Sequence, residues 1–160
     1  MSIIRPLALA LLLSLSPPFT LALGKPRGCF TRAEQGAEEM VREGLRLREG
    51  AIGCDGPPWY AGTKPLWEEI DQRFGQRFAA QTGIRRRAFQ REFAKDAENR
   101  LQMWNGRIVM HFRNYPLSET YCAGIKDVLQ KMRRGGWGVF SRLAGMAKDE
   151  VKMDYRPCDK

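Results

Sequence analysis

The stretch TRAEQGAEEMVREGLRLREGA, residues 31–51, decides the fold class. Thr31 followed by Glu34 is a T-x-x-E capping box, which satisfies two of the amide groups left over at a helix start. Behind it Ala33, Ala37, Met40, Gly44, Leu47 and Ala51 recur at alternating spacings of four and three. On a helix this is one narrow apolar seam, whose small residues admit a close neighbour. The segment Gly53-Cys54-Asp55-Gly56-Pro57-Pro58 stops it, because Gly and Pro are costly inside a helix.

The same period continues downstream. A second helix is expected after Thr63, with Pro65 tolerated in its first turn and Trp67, Ile70, Phe74 and Phe78 on its buried face. Thr82-Gly83 is expected to break it. A third pattern runs from about Ile84 through Phe89, Phe93, Ala97, Leu101, Trp104, Ile108 and Phe112. Asn105-Gly106 reads as a kink in that helix, since the stripe stays in phase across it. After Asn114-Tyr115-Pro116, Ser118 is the expected N-cap of a helix carrying Cys122, Ile125, Leu129 and Met132. Gly135-Gly136 ends it, and a last helix carries Trp137, Phe140, Leu143, Ala147 and Val151. No stretch alternates with period two, so the fold is all-α, a bundle of four to five helices.

Upstream, Met1–Gly24 reads as an address. Arg5 precedes the run Leu7-Ala8-Leu9-Ala10-Leu11-Leu12-Leu13, shorter than the roughly 20 residues a bilayer span requires. Pro17-Pro18 end the run, and small residues follow at Thr20, Ala22 and Gly24 with signal-peptidase spacing. The expectation is a signal peptide over 1–24, cleaved after Ala22 or Gly24. A single helical domain over 25–160, without a transmembrane span, is then periplasmic or secreted. The formal net charge is +9; loss of Arg5 with the leader lowers it by one.

Export puts Cys29, Cys54, Cys122 and Cys158 in an oxidising compartment, where an even, widely spaced set reads as two disulfides. Cys29 and Cys54 flank one helix about 30 Å long, far beyond the roughly 7 Å that a disulfide spans. Of the two remaining connectivities, Cys54–Cys122 with Cys29–Cys158 is preferred. A strict up-and-down bundle brings only one of Cys29 and Cys54 near the other two, so some helix must break the alternation.

Familiar chemistries are excluded one by one. One histidine, His111, and no C-x-x-C pair leave no metal, redox or haem-attachment motif. No phosphate-binding glycine loop or nucleophile elbow occurs, and no cofactor is expected. His111 is followed by Phe112, where the small secreted phospholipases A2 place an aspartate, so a structural histidine is expected. Glu68 and Glu69 are adjacent, as are Glu38 and Glu39; helix neighbours diverge by about 100° and do not converge on one bond.

Two surfaces hold candidate function. Arg85-Arg86-Arg87, with Arg91, is expected at the start of the third helix, where cations oppose the helix dipole. An anionic ligand would offset that cost. The C-terminal helix mixes Arg133, Arg134, Trp137, Phe140, Arg142, Leu143 and Lys148 as membrane-surface helices do, although core packing is the preferred reading.

The first expectation is therefore a non-catalytic binding protein. Its partner is an anionic envelope polymer, a membrane surface or an acidic envelope protein, met through Arg85, Arg86, Arg87 and Arg91. Export argues against nucleic acid as its native partner. The alternative is a cofactor-independent exported enzyme with an Arg/Glu/Gln pocket between helices. The block Leu66–Arg73 resembles, over those few residues, the first helix of all-helical chorismate mutases. That resemblance implies arginine, glutamate and glutamine side chains around a dicarboxylate, types that Arg73, Arg77, Gln81, Glu92 and Arg100 supply.

Overall fold

A computed structural model describes residues 25–147 and 155–158; the proposed leader and the positions of Lys148 and Val151 lie outside them. Five α-helices occur among the described residues: α1 Arg32–Asp55, α2 Thr63–Phe93, α3 Ala97–Arg113, α4 Glu119–Gly135 and α5 Trp137–Met146. A 3-10 turn, Ala94–Asp96, joins α2 to α3. The only β pairing among these residues is an isolated parallel bridge between Phe30 and Pro157. No described helix is long and apolar enough to cross a membrane.

Local chemistry sets most boundaries. Thr31 accepts from the Glu34 amide while the Glu34 carboxylate accepts from the Thr31 amide, completing the capping box. The Ser118 hydroxyl caps α4 by accepting from the Tyr121 amide at 3.1 Å. Gly136, at φ +72°, separates α4 from α5 in a conformation that suits glycine.

One boundary differs from the sequence reading. The chain does not break at Thr82-Gly83; α2 runs through to Phe93. The Thr82 hydroxyl bonds back to the Phe78 carbonyl at 3.0 Å, so this threonine is satisfied inside the helix. A lone glycine costs a helix only about 1 kcal/mol, less than packing on either side returns. The reversal comes instead at Ala94, at φ +47°. Neither Gly nor Pro marks it, and Phe89, Phe93, Ala97 and Leu101 keep a spacing of four across it. The Arg85-Arg86-Arg87 run therefore lies inside α2 rather than at a helix start, and the dipole argument for it falls. Asn105-Gly106 lies within α3, which is continuous.

Helix α1 is central and packs against each of the other four helices. Its small seam works as expected at Gly44, where a Cβ would lie 3.1 Å from the Phe78 ring, while Ala33 at its start is exposed. Gly50, off the seam, is also tight, a Cβ there lying 2.8 Å from Ile125. One apolar cluster joins Leu47, Trp67, Ile70, Leu129 and Phe140. A second, more aromatic cluster joins Phe30, Phe89, Leu101, Trp104 and Ile108. A narrow seam cannot face four neighbours, so α1 also buries Glu38, Arg42, Glu43 and Glu49. Burying such groups is tolerable only when they are paired. Glu43 accepts two bonds from Arg46, at 2.7 and 2.6 Å, and Glu49 is held by Arg48 and Arg113.

The disulfides are Cys29–Cys158 and Cys54–Cys122, with Cα separations of 4.9 and 5.4 Å. They staple opposite ends of α1. The broken alternation comes from α5, which has ten residues and so spans only about 15 Å. Its Leu143 and Met146 border a cavity with Arg42 and Arg46, midway along α1.

Candidate anion-binding cleft

Spacing on α3 builds the candidate site. Residues 96, 99, 100, 103, 104 and 107 recur at helical spacing and share one side of the helix. With Phe93 and Tyr155 they line an open cleft of about 470 Å³. The Arg100 guanidinium lies 4.7 Å from the Phe93 ring centroid, and that of Arg107 lies 4.5 Å from Trp104. Both are within cation–π range. Between them Met103 is 68% exposed, among the largest apolar exposures of the described residues.

The wall opposite α3 comes from the C-terminal tail. Tyr155 meets Phe89 edge-on at 4.7 Å and Trp104 at 5.7 Å. The tail is fixed by Cys29–Cys158 and by two backbone bonds, Phe30 N–H to the Arg156 carbonyl and Cys158 N–H to the Phe30 carbonyl, both 2.9 Å. Local pairing, a disulfide and aromatic packing thus converge on one residue.

The floor rests on a buried polar network. The Trp104 indole N–H donates to Glu38 at 2.8 Å. Glu38 also pairs with Arg85 at 3.3 Å, and Arg85 donates to the Asn105 side chain. Burial lowers the Arg85 pKa, and the charge of Glu38 opposes that shift. This network fixes the plane of the indole beneath Arg107 and holds α1, α2 and α3 in register.

At the mouth, Arg100 Nε donates to Asp96 at 2.6 Å. Hydrogen bonds from Arg100 and Asn99 hold the Asp96 carboxyl below its usual range, so it stays ionised at neutral pH. The pair is solvent-exposed on both sides, so it orients Arg100 more than it stabilises the fold.

The predicted arginines divide. Arg85 is only 2% exposed and faces the core. Arg91 bonds Glu34 and Glu92, and with them the Cys29 carbonyl, tying α2 to the N-terminal segment. Arg86 is exposed and meets Glu98 at 3.3 Å, while Arg87 is exposed on the same helix. Two of the four therefore face solvent and two serve the fold.

The set proposed for an enzyme pocket does not converge. Arg73 donates to the Arg133 carbonyl, Arg77 lies over Trp137, and Glu92 accepts from the Arg27 and Gly28 amides. His111 sits half-buried between the rings of Phe112 and Tyr115. Trp137 and Phe140 of α5 pack on Phe78, as core residues. No cluster of three or more potential metal ligands occurs among the described residues.

Sequence reasoning missed Arg107, Met103 and Tyr155 as site residues. Arg107 and Met103 follow Arg100 and Trp104 at helical spacing, a signal that was present; nothing in the sequence brings Tyr155 to them. No protein-family model, curated protein or solved structure matches this chain.

Proposed function

We propose that this is an exported, non-catalytic binding protein for an anionic component of the cell envelope. The leader-like residues 1–24 and the two disulfides support export into an oxidising compartment. The observation that carries the binding reading is the α3 cleft, where two guanidiniums lie on aromatic rings on either side of an exposed methionine. Arg86 and Arg87 extend the positive field along α2, on a chain whose net charge of +9 falls by one when the leader is removed. Such a field raises the local concentration of anions and weakens with salt. The test is binding of the oxidised mature protein to lipopolysaccharide and to phosphatidylglycerol vesicles at low ionic strength. It is repeated at about 1 M salt, where the screening length is about 3 Å. Binding that falls steeply with salt is expected.

A second reading rests on a separate cavity of about 280 Å³, where Arg42, Glu43 and Arg46 face Phe112 and Leu143. Those residue types suit a small dicarboxylate held without metal. Thermal stabilisation by a small dicarboxylate, absent with its uncharged diamide, would favour this reading over the first.

A further inference from the structure

We infer that the α3 cleft takes a single anionic amphiphile, a molecule with one phosphate or carboxylate head and an alkyl or aryl body. This rests on the anionic-ligand reading above and names both the ligand class and the site.

The cleft combines two chemistries that a polyanion does not need together. Its volume of about 470 Å³ lies within the range of small-molecule sites, roughly 300–1,000 Å³. The half-buried rings of Phe93 and Tyr155 supply apolar surface over the buried Trp104, and Met103 is exposed to 68% among them. Methionine adapts its unbranched chain to varied apolar partners. Arg100 and Arg107 are seven residues apart on one helix, about 10 Å along the axis. They therefore mark two cationic points with an apolar stretch between.

Asp96 decides between a bare anion and an amphiphile. It engages Arg100 Nε at 2.6 Å and cancels part of its charge. It also orients the guanidinium, whose two terminal amino groups are left for a head group beside Asn99. Coulomb attraction at such a partly neutralised, open site is modest. A small inorganic anion gains nothing from the rings, whereas an apolar body adds burial proportional to its area. Head and body are each insufficient and act together.

The experiment uses the oxidised mature chain with dodecyl phosphate below its micellar concentration. Inorganic phosphate and dodecyl maltoside serve as controls for the head and the tail alone. Calorimetry is expected to give one site for dodecyl phosphate, at least about tenfold tighter than either control. Amide shifts in a proton–nitrogen spectrum should concentrate on α3 between Asn99 and Arg107. Arg100→Gln should weaken binding by about tenfold, the loss of one charge-assisted contact, and Arg107→Gln, about 10 Å further along the helix, by less. Met103→Glu places a like charge on an exposed position and should abolish binding while the melting temperature holds.

Equal binding of the maltoside, or of inorganic phosphate, overturns the inference. So does absence of dodecyl phosphate binding, or unchanged affinity in all three variants. Two failures remain distinguishable. If vesicle and lipopolysaccharide binding stays salt-sensitive while the cleft variants change nothing, the amphiphile site alone is lost. If no salt-sensitive binding to either surface occurs, the wider reading is lost with it.

Discussion

Arg85 and Glu38 form an ion pair 3.3 Å apart inside the α1–α2 interface, with side chains only 2% and 4% exposed. Trp104 and Asn105 of α3 complete the network, so three helices depend on one pair. Removing one partner leaves a buried charge without its counterion, which typically costs about 3–5 kcal/mol. Glu38→Gln and Arg85→Met are each expected to lower stability on that scale in urea unfolding. The double variant should recover much of the loss, since replacing both charges spares the desolvation cost. Additive single losses would mean that the pair is not coupled.

The base of the bundle should be acid-sensitive. Burial alone would raise the Glu34 pKa, but bonds from Arg91 and Thr31 outweigh it and hold the carboxyl below its ordinary 4.5. Glu92 is likewise lowered, against the effect of burial, by Arg91 and the Arg27 and Gly28 amides. A carboxyl with a depressed folded-state pKa binds protons more readily when unfolded. Its contribution is therefore complete above the unfolded value and is lost as pH falls through the folded one. Melting temperature should hold from neutral pH to about 5.5 and then decline. Arg91→Met should melt lower at neutral pH and show a shallower acid decline. Parallel curves for the two proteins would contradict this assignment.

Two glycines of α1 should respond oppositely to alanine. A Cβ at Gly50 would lie 2.8 Å from Ile125 and 2.9 Å from the Tyr121 hydroxyl. Gly50→Ala should lose about 1–3 kcal/mol by overpacking. At Gly36 a Cβ meets nothing within 4 Å, and Gly36→Ala should gain about 0.5–1 kcal/mol through helix propensity. Urea midpoints of both variants check the pair.

The two disulfides should be reduced in sequence. Cys54 and Cys122 are 0% and 3% exposed, while Cys29 and Cys158 are half-exposed. A dilute dithiol should open Cys29–Cys158 first, as read by alkylation and mass spectrometry, because exchange requires access to sulfur. Removing either bridge by paired serine substitution should cost about 2–5 kcal/mol. Simultaneous reduction of both bridges at native stability would contradict the burial difference.

Much of the fold is legible in the sequence because its signals are local. The Thr31 and Ser118 caps, the glycine stop at Gly135-Gly136 and the apolar period each reside in a few neighbouring residues. The length of one helix excludes Cys29–Cys54 and leaves two connectivities; both bridges join the preferred pairs, a choice that the helix length does not itself make. The turn at Ala94 is not legible, because the apolar stripe crosses it in phase and the reversal is imposed by packing. Nor was the inward direction of Arg85, which depends on Glu38 lying opposite on a different helix. The cleft was half legible: its α3 face follows from spacing, while Tyr155 arrives through a contact between the two ends of the chain.

The most direct test of the central claim is a vesicle-binding titration of the mature, oxidised protein across a salt series. Phosphatidylglycerol vesicles and lipopolysaccharide would be compared with neutral phosphatidylcholine vesicles. A variant carrying Arg86→Gln, Arg87→Gln, Arg100→Gln and Arg107→Gln would be run in parallel. The account predicts preference for the anionic surfaces, affinity that falls with salt, and a weaker, flatter response in the variant. Equal binding to neutral vesicles, or an unchanged salt response in the variant, would contradict it.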